Sequence, residues 1–155
     1  MASIKSVEIK KLKKENIPAL LKELSDEKPE YLKYFTAFVI SQKSFEEQLT
    51  KVIDDKFFGV FYEEQIVGFY MLRGFDAGYV VPSYGVVISS RFSNRGLSKL
   101  TLYHAFSVCT LNNVEKLMLK VHPENKFAKR LYESLGFIRT GFDDKNGNYI
   151  YHKTL

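Results

Sequence analysis

Apolar positions near the start of the chain recur at helical spacing. Those in the middle form alternating or continuous β-type runs, and the two periods then interleave to the end. Residues 6–12 (SVEIKKL) read as a strand. Asn16 is placed to cap a helix that tolerates Pro18 in its first turn and carries Ile17, Leu20, Leu21 and Leu24 on one face. Pro29 opens a second helical stretch, PEYLKYFTAFVI, whose stripe is Leu32, Phe35, Phe38 and Val39. Ser44 followed by Glu47 fits a capping box for a third helix over 44–53.

The period then shortens. KFFGVFY and QIVGFYMLRG are β-rich runs separated only by Glu63 and Glu64, which predicts an antiparallel hairpin. A loop with Gly74, Asp76 and Gly78 leads to YVVPSYGVVIS, a long strand whose Pro82 and Gly85 mark an edge, a bulge or a close backbone approach. GLSKLTLYHAFSVCTLN has broad helical spacing and ends at Asn112 and Asn113, and KLMLKV is a short strand. Pro123 starts a helix that runs to about Leu135, with Gly136 where a left-handed C-cap belongs. There Phe127, Leu131 and Leu135 are expected to face the core, and Asn125, Ala128 or Lys129, and Tyr132 share the other face. FIRTGFDD and NYIYHKTL form a closing hairpin through Lys145, Asn146 and Gly147. This order predicts a mixed α/β fold.

Composition narrows the class. A chain of 155 residues, 45% hydrophobic and 15% aromatic, suits one domain with a real core. No apolar run approaches the roughly 18 residues of a membrane span, and the start MASIKSVEIKKLKK is too polar for a signal peptide, so a cytoplasmic protein is expected. Cys109, the single cysteine, lies in an apolar helix and reads as a small core residue. The formal charge of +5 arises from 23 basic against 18 acidic residues, a mild excess that favours anionic ligands in general. The lysines of 10–14 read as a solvated edge. No His, Cys, Asp or Glu cluster has metal-ligand spacing, so no metal is expected.

Two segments carry chemistry. In RFSNRGLSKL (91–100) a strand ending near Ser90 passes through a glycine turn into a helix. That arrangement gathers unpaired backbone N–H groups and the positive end of a helix dipole at one point. Gly96 allows close backbone approach, and Arg91 or Arg95 offers a charge-assisted contact to phosphate. An exposed basic turn has the same composition. The second segment, VHPENKFAKRLYESLGF (121–137), also follows a strand and opens a helix.

Together the two segments resemble the GNAT superfamily of N-acyltransferases. Its signature is Gln/Arg-x-x-Gly-x-Gly/Ala after a strand, then Asn-x-x-Ala-x-x-x-Tyr followed shortly by Gly-Phe. Asn125, Ala128, Tyr132, Gly136 and Phe137 fit the second motif in full. The first fits in part: Gly96 matches, while Ser93 stands for Gln/Arg and Ser98 for Gly/Ala. The resemblance spans nearly the whole chain. It implies a single GNAT domain over residues 1–155, with a mixed sheet of about seven strands and about four to five helices.

It also implies acetyl-CoA as acyl donor, lying where the strand ending near Ser90 splays from the strand over 116–121. On that reading the backbone of Ile88, Ser89 and Ser90 meets the pantetheine amides, and the N–H groups of Asn94, Arg95, Gly96, Leu97, Ser98 and Lys99 hold the pyrophosphate. Arg91 is a further phosphate contact, Asn125 bonds the pantetheine arm beside Ala128, and Tyr132 donates a proton to the leaving thiolate. An amine attacks the thioester directly, and a backbone N–H near Ile88 could stabilise the oxyanion. The class is an acyltransferase moving groups other than aminoacyl groups, with acetyl-CoA and an amine as partners, no membrane and no nucleic acid; a homodimer stays open.

No glutamate occupies the central strands, and Lys120 stands where relatives often carry one, so the general base is unassigned among His122, Asp76 and Tyr84. His104 and His152 are weaker candidates. The acceptor side draws on Tyr31, Tyr34, Phe35, Arg73, Asp76, Tyr79, Tyr84, Asp143 and Asp144. Two alternatives stay open: a catalytically silent acyl-CoA-binding domain, and a nucleic-acid module using the lysines of 10–14 with Arg91 and Arg95.

Overall fold

The computed structural model describes residues 3–155. Its strands are β1 (Val7–Lys11), β2 (Lys56–Tyr62), β3 (Gln65–Arg73), β4 (Ser83–Ile88), β5 (Lys116–Val121), β6 (Ile138–Asp143) and β7 (Asn148–Thr154). The helices are α1 (Ile17–Leu24), α2 (Pro29–Leu32), α3 (Gln42–Lys51), α4 (Leu97–Leu111) and α5 (Lys126–Ser134). All seven strands form one sheet in the order β1-β2-β3-β4-β5-β7-β6, so the mixed α/β expectation holds. Among the described residues only the β4–β5 contact is parallel.

Strand alternation divides the core by face. On one side Tyr70, Leu72, Tyr84, Leu117, Leu119 and Val121 pack against Leu102, Ala105 and Cys109 of α4 and Tyr132 of α5. On the other, Phe57, Phe69, Met71 and Val87 pack against Ile17, Leu20 and Leu24 of α1 and Phe45 of α3. Cys109 is buried, and burial pushes its thiol up to about 11, as expected of a core residue. The edge strand β1 carries exposed lysines, and Lys10 lies 4.5 Å from the Phe61 ring centroid.

Several boundaries differ from the sequence pattern, each for a local reason. The second helical stretch stops after one turn at Leu32. Phe35 and Phe38 still reach the core, as edge-on neighbours of Phe69 and Phe45, from irregular backbone, while Val39 is 73% exposed. The third helix begins at Gln42, because Ser41 rather than Ser44 caps it by accepting from the Ser44 N–H at 3.2 Å. The long strand shrinks to Ser83–Ile88: Pro82 lacks an N–H, and the ladder to β5 starts at its carbonyl, which accepts from Met118.

The last helix starts at Lys126, not Pro123. Its N-cap is Asn125, whose side chain accepts from the Ala128 N–H at 3.3 Å. Core contacts on α5 come from Ala128, Leu131, Tyr132 and Leu135, a regular i, i+3, i+4, i+7 stripe; Phe127 is 61% exposed instead. Both bonds of a Schellman motif close the helix, Phe137 N–H to Tyr132 C=O and Gly136 N–H to Glu133 C=O, with Gly136 at φ +91°. The motif's apolar contact is the pair Tyr132 and Phe137, with ring centroids 5.9 Å apart. The Tyr-x-x-x-Gly-Phe spacing is therefore also a packing device that fixes the Tyr132 ring.

Candidate active site

β4 is paired along its length with β3, but its pairing with β5 covers only Ser83↔Met118 and Tyr84↔Leu119. Beyond Tyr84 the two parallel strands part. Ser89 N–H donates to the Val67 carbonyl at 2.8 Å, so antiparallel alternation turns the polar groups of Gly85 and Val87 toward β3 and those of Val86 and Ile88 into the gap. The gap widens into a cleft of about 1410 Å³. Its walls include Tyr84, Val86 and Ile88, the turn residues Ser93, Asn94 and Gly96 to Lys99, and His122, Asn125 and Tyr132.

The turn is built to present N–H groups. Asn94 (φ +57°) and Gly96 (φ +83°) both lie in the left-handed region, and Gly96 is the N-cap of α4 without any side-chain cap. Among the described residues no acceptor meets the N–H groups of residues 94–99. A side chain on Gly96 would point into open space, so the glycine answers backbone conformation and leaves room above it. Thr101 ties this end of α4 to β4. Its hydroxyl donates to the Ser98 carbonyl at 2.8 Å, so Tyr84 must be the donor in its own 2.8 Å bond to Thr101.

Tyr132 projects from α5 at 9% exposure, its ring centroid 6.4 Å from that of Tyr84. Its hydroxyl bonds to nothing among the described residues, and burial pushes it up to about 12. Because Asn125 spends its carbonyl oxygen on Ala128, its amide N–H₂ is left to face the cleft.

Other residues expected at the site have structural partners. Arg91 forms a two-point pair with Glu23 of α1, at 2.7 and 3.1 Å. Burial pushes the Glu23 carboxyl up, but hydrogen bonds from Arg91, Ser89 and Gln65 outweigh it and hold the group below the ordinary range. Ser90 N–H donates to Glu27 at 2.8 Å, and the Tyr31 hydroxyl bonds the Ile88 carbonyl. The backbone of 88–90 is thus largely engaged by β3, α2 and the end of α1. Arg95 makes no ion pair among the described residues.

The three base candidates fare differently from one another. Asp76 lies off the cleft, and its carboxylate accepts the N–H groups of Ile53, Asp54 and Asp55, which lower its pKa. Tyr84 is buried and donates to Thr101, and burial raises its hydroxyl well above the ordinary value. His122 does line the cleft, 5.0 Å from the Tyr34 ring, but its Nδ1 accepts from the Glu124 N–H at 3.1 Å. The basic lone pair of neutral His122 is therefore in use, and Nε2 carries the proton. His104 binds Tyr70 at 2.5 Å and His152 binds Thr140 at 2.5 Å.

On the acceptor side Tyr31, Tyr34, Phe35, Arg73 and Tyr79 line the cleft. Asp143 is paired with Lys120 at 2.7 Å, and Asp144 is exposed outside the lining. Glu23, Glu27 and Thr101 escaped the sequence reading, since their partners lie elsewhere in the chain and nothing in local spacing signals them. Among the described residues no group of His, Cys, Asp and Glu is arranged to hold a metal ion, and no helix is long and apolar enough to cross a membrane.

A model of the GNAT acetyltransferase family matches residues 17–137, most of the chain and all of this cleft's core elements. The chain belongs to the GNAT acetyltransferase family. Solved structures share its fold from end to end. PaiA N-acetyltransferase from Thermoplasma acidophilum, in complex with coenzyme A, is 17% identical over 97% of this chain and 99% of its own, with a TM-score of 0.80. Spermidine N-acetyltransferase from Vibrio cholerae, in complex with CoA and spermine, is 17% identical over 96% and 95%, at 0.77. Ribosomal-protein-S5-alanine acetyltransferase from Vibrio fischeri is 12% identical over 98% and 97%, at 0.78. A polyamine enzyme and a protein-modifying enzyme resemble this GNAT chain equally well, so the fold leaves its acceptor open.

Proposed function

We propose that this chain is an N-acetyltransferase that transfers the acetyl group of acetyl-CoA to a primary amine. The observation that carries the reading is the convergence at one cleft of parted parallel strands, a free N–H turn at the head of a 15-residue helix, and the unpartnered hydroxyl of Tyr132. The residues suit the donor. The N–H groups of Asn94, Arg95, Gly96, Leu97, Ser98 and Lys99 match a pyrophosphate, with Arg95 free to add charge while Arg91 stays with Glu23. Val86 and Ile88 on one side and the Asn125 amide on the other suit the amides of pantetheine, the Tyr31 hydroxyl yielding the Ile88 carbonyl. Ser89 and Ser90 act as struts in this account, since their N–H groups are already bonded.

Acetyl-CoA supplies an activated acyl group: the amine nitrogen bonds its carbonyl carbon as the carbon–sulfur bond breaks. Tyr132 stays protonated at neutral pH and offers its hydrogen to the sulfur as negative charge gathers there. Asp76 lies off the cleft, Tyr84 is a buried hydroxyl that stays protonated, and Nδ1 of His122 already accepts from Glu124, so the amine's proton leaves through water in the open cleft. The test is a thermal shift with CoA, acetyl-CoA and an oligonucleotide, followed by thiol release across a panel of amines. Stabilisation by CoA compounds alone, with acceptor-dependent thiol release, is expected. Stabilisation by nucleic acid alone would refute the reading, and CoA binding without transfer to any amine would favour the silent domain.

A further inference from the structure

We propose that the acceptor is an amine that also carries a carboxylate, and that Arg73 binds that carboxylate. The inference rests on the acetyl-transfer reading above and names its substrate class. Arg73 ends β3, paired with Ser83, two residues before Gly85 in β4. Its parity with Met71 puts it on the sheet face opposite Tyr84 and Tyr132, the face over which Tyr31, Tyr34 and Phe35 close the cleft. Gly85 keeps the floor beside it low: a side chain there would meet the Met71 methyl at 2.7 Å.

The charges on this face are unevenly used. Asp76 is held by three backbone N–H groups, Asp143 by Lys120, and Asp55 turns one oxygen to the N–H groups of Gly74 and Asp76. Glu30 and Asp55 are the acids of the cleft wall; Glu30 is exposed, and Asp55 is half-buried with one oxygen already engaged by backbone. Arg73, by contrast, takes part in no ion pair or side-chain hydrogen bond among the described residues. Its guanidinium lies over the Phe38 ring, 5.8 Å from the centroid, a contact that steadies the head and leaves its N–H donors unused. A positioned guanidinium with free donors is a two-point receptor for carboxylate. A polyamine would need the reverse, free carboxylates in a dry wall.

In the reaction the carboxylate is a spectator. The ammonium first gives one proton to water; the amine nitrogen then gains the acetyl carbon, sulfur leaves with the bonding pair, and the nitrogen releases its second proton as the sulfur takes one up. The product is an N-acetylated carboxylate with one positive charge fewer than the acceptor.

The experiment measures thiol release with acceptor pairs differing only in the carboxylate: β-alanine against ethylamine and 4-aminobutyrate against propylamine. Alanyl-aspartate amide against alanyl-asparagine amide covers a peptide source, and spermidine the polyamine case. The carboxylated member of at least one pair is expected to show kcat/KM about 10- to 100-fold higher, mainly through KM. Which pair responds separates a free amino acid from a peptide. Arg73→Gln should bring that ratio near one and Arg73→Lys should restore part of it, with CoA affinity by calorimetry reporting that each variant is folded. The proposal is overturned if no pair favours the carboxylate, if spermidine is the best acceptor, or if Arg73→Gln keeps the preference. Those failures would leave CoA binding and transfer to uncharged amines intact; loss of CoA binding in the wild type would overturn the acetyl-transfer reading as well.

Discussion

Replacing Tyr132 by phenylalanine deletes one hydroxyl and almost nothing else. The ring's contacts with Phe137 at 5.9 Å and Tyr84 at 6.4 Å survive, and the lost oxygen has no partner among the described residues. Stability should therefore change by less than about 1 kcal/mol. The kinetic cost follows from the hydroxyl's acidity. Burial holds it at about 12, against a thiol of about 8.5, so full proton transfer to the thiolate would run uphill by roughly 5 kcal/mol. In the proposed reaction Tyr132 instead serves as a hydrogen-bond donor to developing charge, worth about 1.5–3 kcal/mol. That predicts a fall in kcat of about 10- to 150-fold. The assay is thiol release at saturating acetyl-CoA and acceptor, with CoA affinity by calorimetry expected to be unchanged. A kcat within about threefold of wild type would remove Tyr132 from the reaction, whereas a loss beyond about 10⁴-fold would mean that it transfers its proton outright.

Gly96→Val places a branched side chain at φ +83°, costing about 1–2 kcal/mol of stability, in space the fold leaves open. The variant should melt lower yet remain folded and bind CoA at least about tenfold more weakly; undiminished affinity would count against the cradle. Burial raises the hydroxyls of Tyr70, Tyr84 and Tyr132, a stabilisation fully present below the ordinary tyrosine value of about 10 and lost as pH rises through their folded values, about 12 for Tyr132 and raised well above the ordinary value for Tyr70 and Tyr84. Phenolate absorbance should show these three ionising only together with unfolding, and a single wave of all ten tyrosines near pH 10 in an intact fold would contradict it.

Much of this was readable from periodicity. The β2–β3 and β6–β7 hairpins and the α4 helix are dictated by local pattern and by turns such as Asn146-Gly147, and all appear in the structure. The two motifs were legible because the backbone needs them nearby in sequence: Gly96 for a left-handed N-cap, Asn125 for a cap, Gly136 for a Schellman turn. What stayed hidden depends on partners distant in sequence. Arg91 looks like a phosphate ligand until Glu23, 68 positions away, takes it, and Asp76 looks like an acceptor-site acid until the backbone of 53–55 claims both oxygens. PEYLKYFTAFVI has a helical stripe, yet Phe35 and Phe38 satisfy it by packing on Phe69 and Phe45 without a helix. Tertiary burial there outweighs propensity.

On the proposed function one cleft, between the parted ends of β4 and β5 and below the head of α4, holds CoA. Titrating CoA into isotope-labelled protein and following backbone amide resonances tests it residue by residue. The largest shifts should fall at Asn94 through Lys99, at Val86 and Ile88, and at the Asn125 side-chain amide. Binding with these resonances unmoved, or shifts centred on the lysines of 10–14, would contradict it.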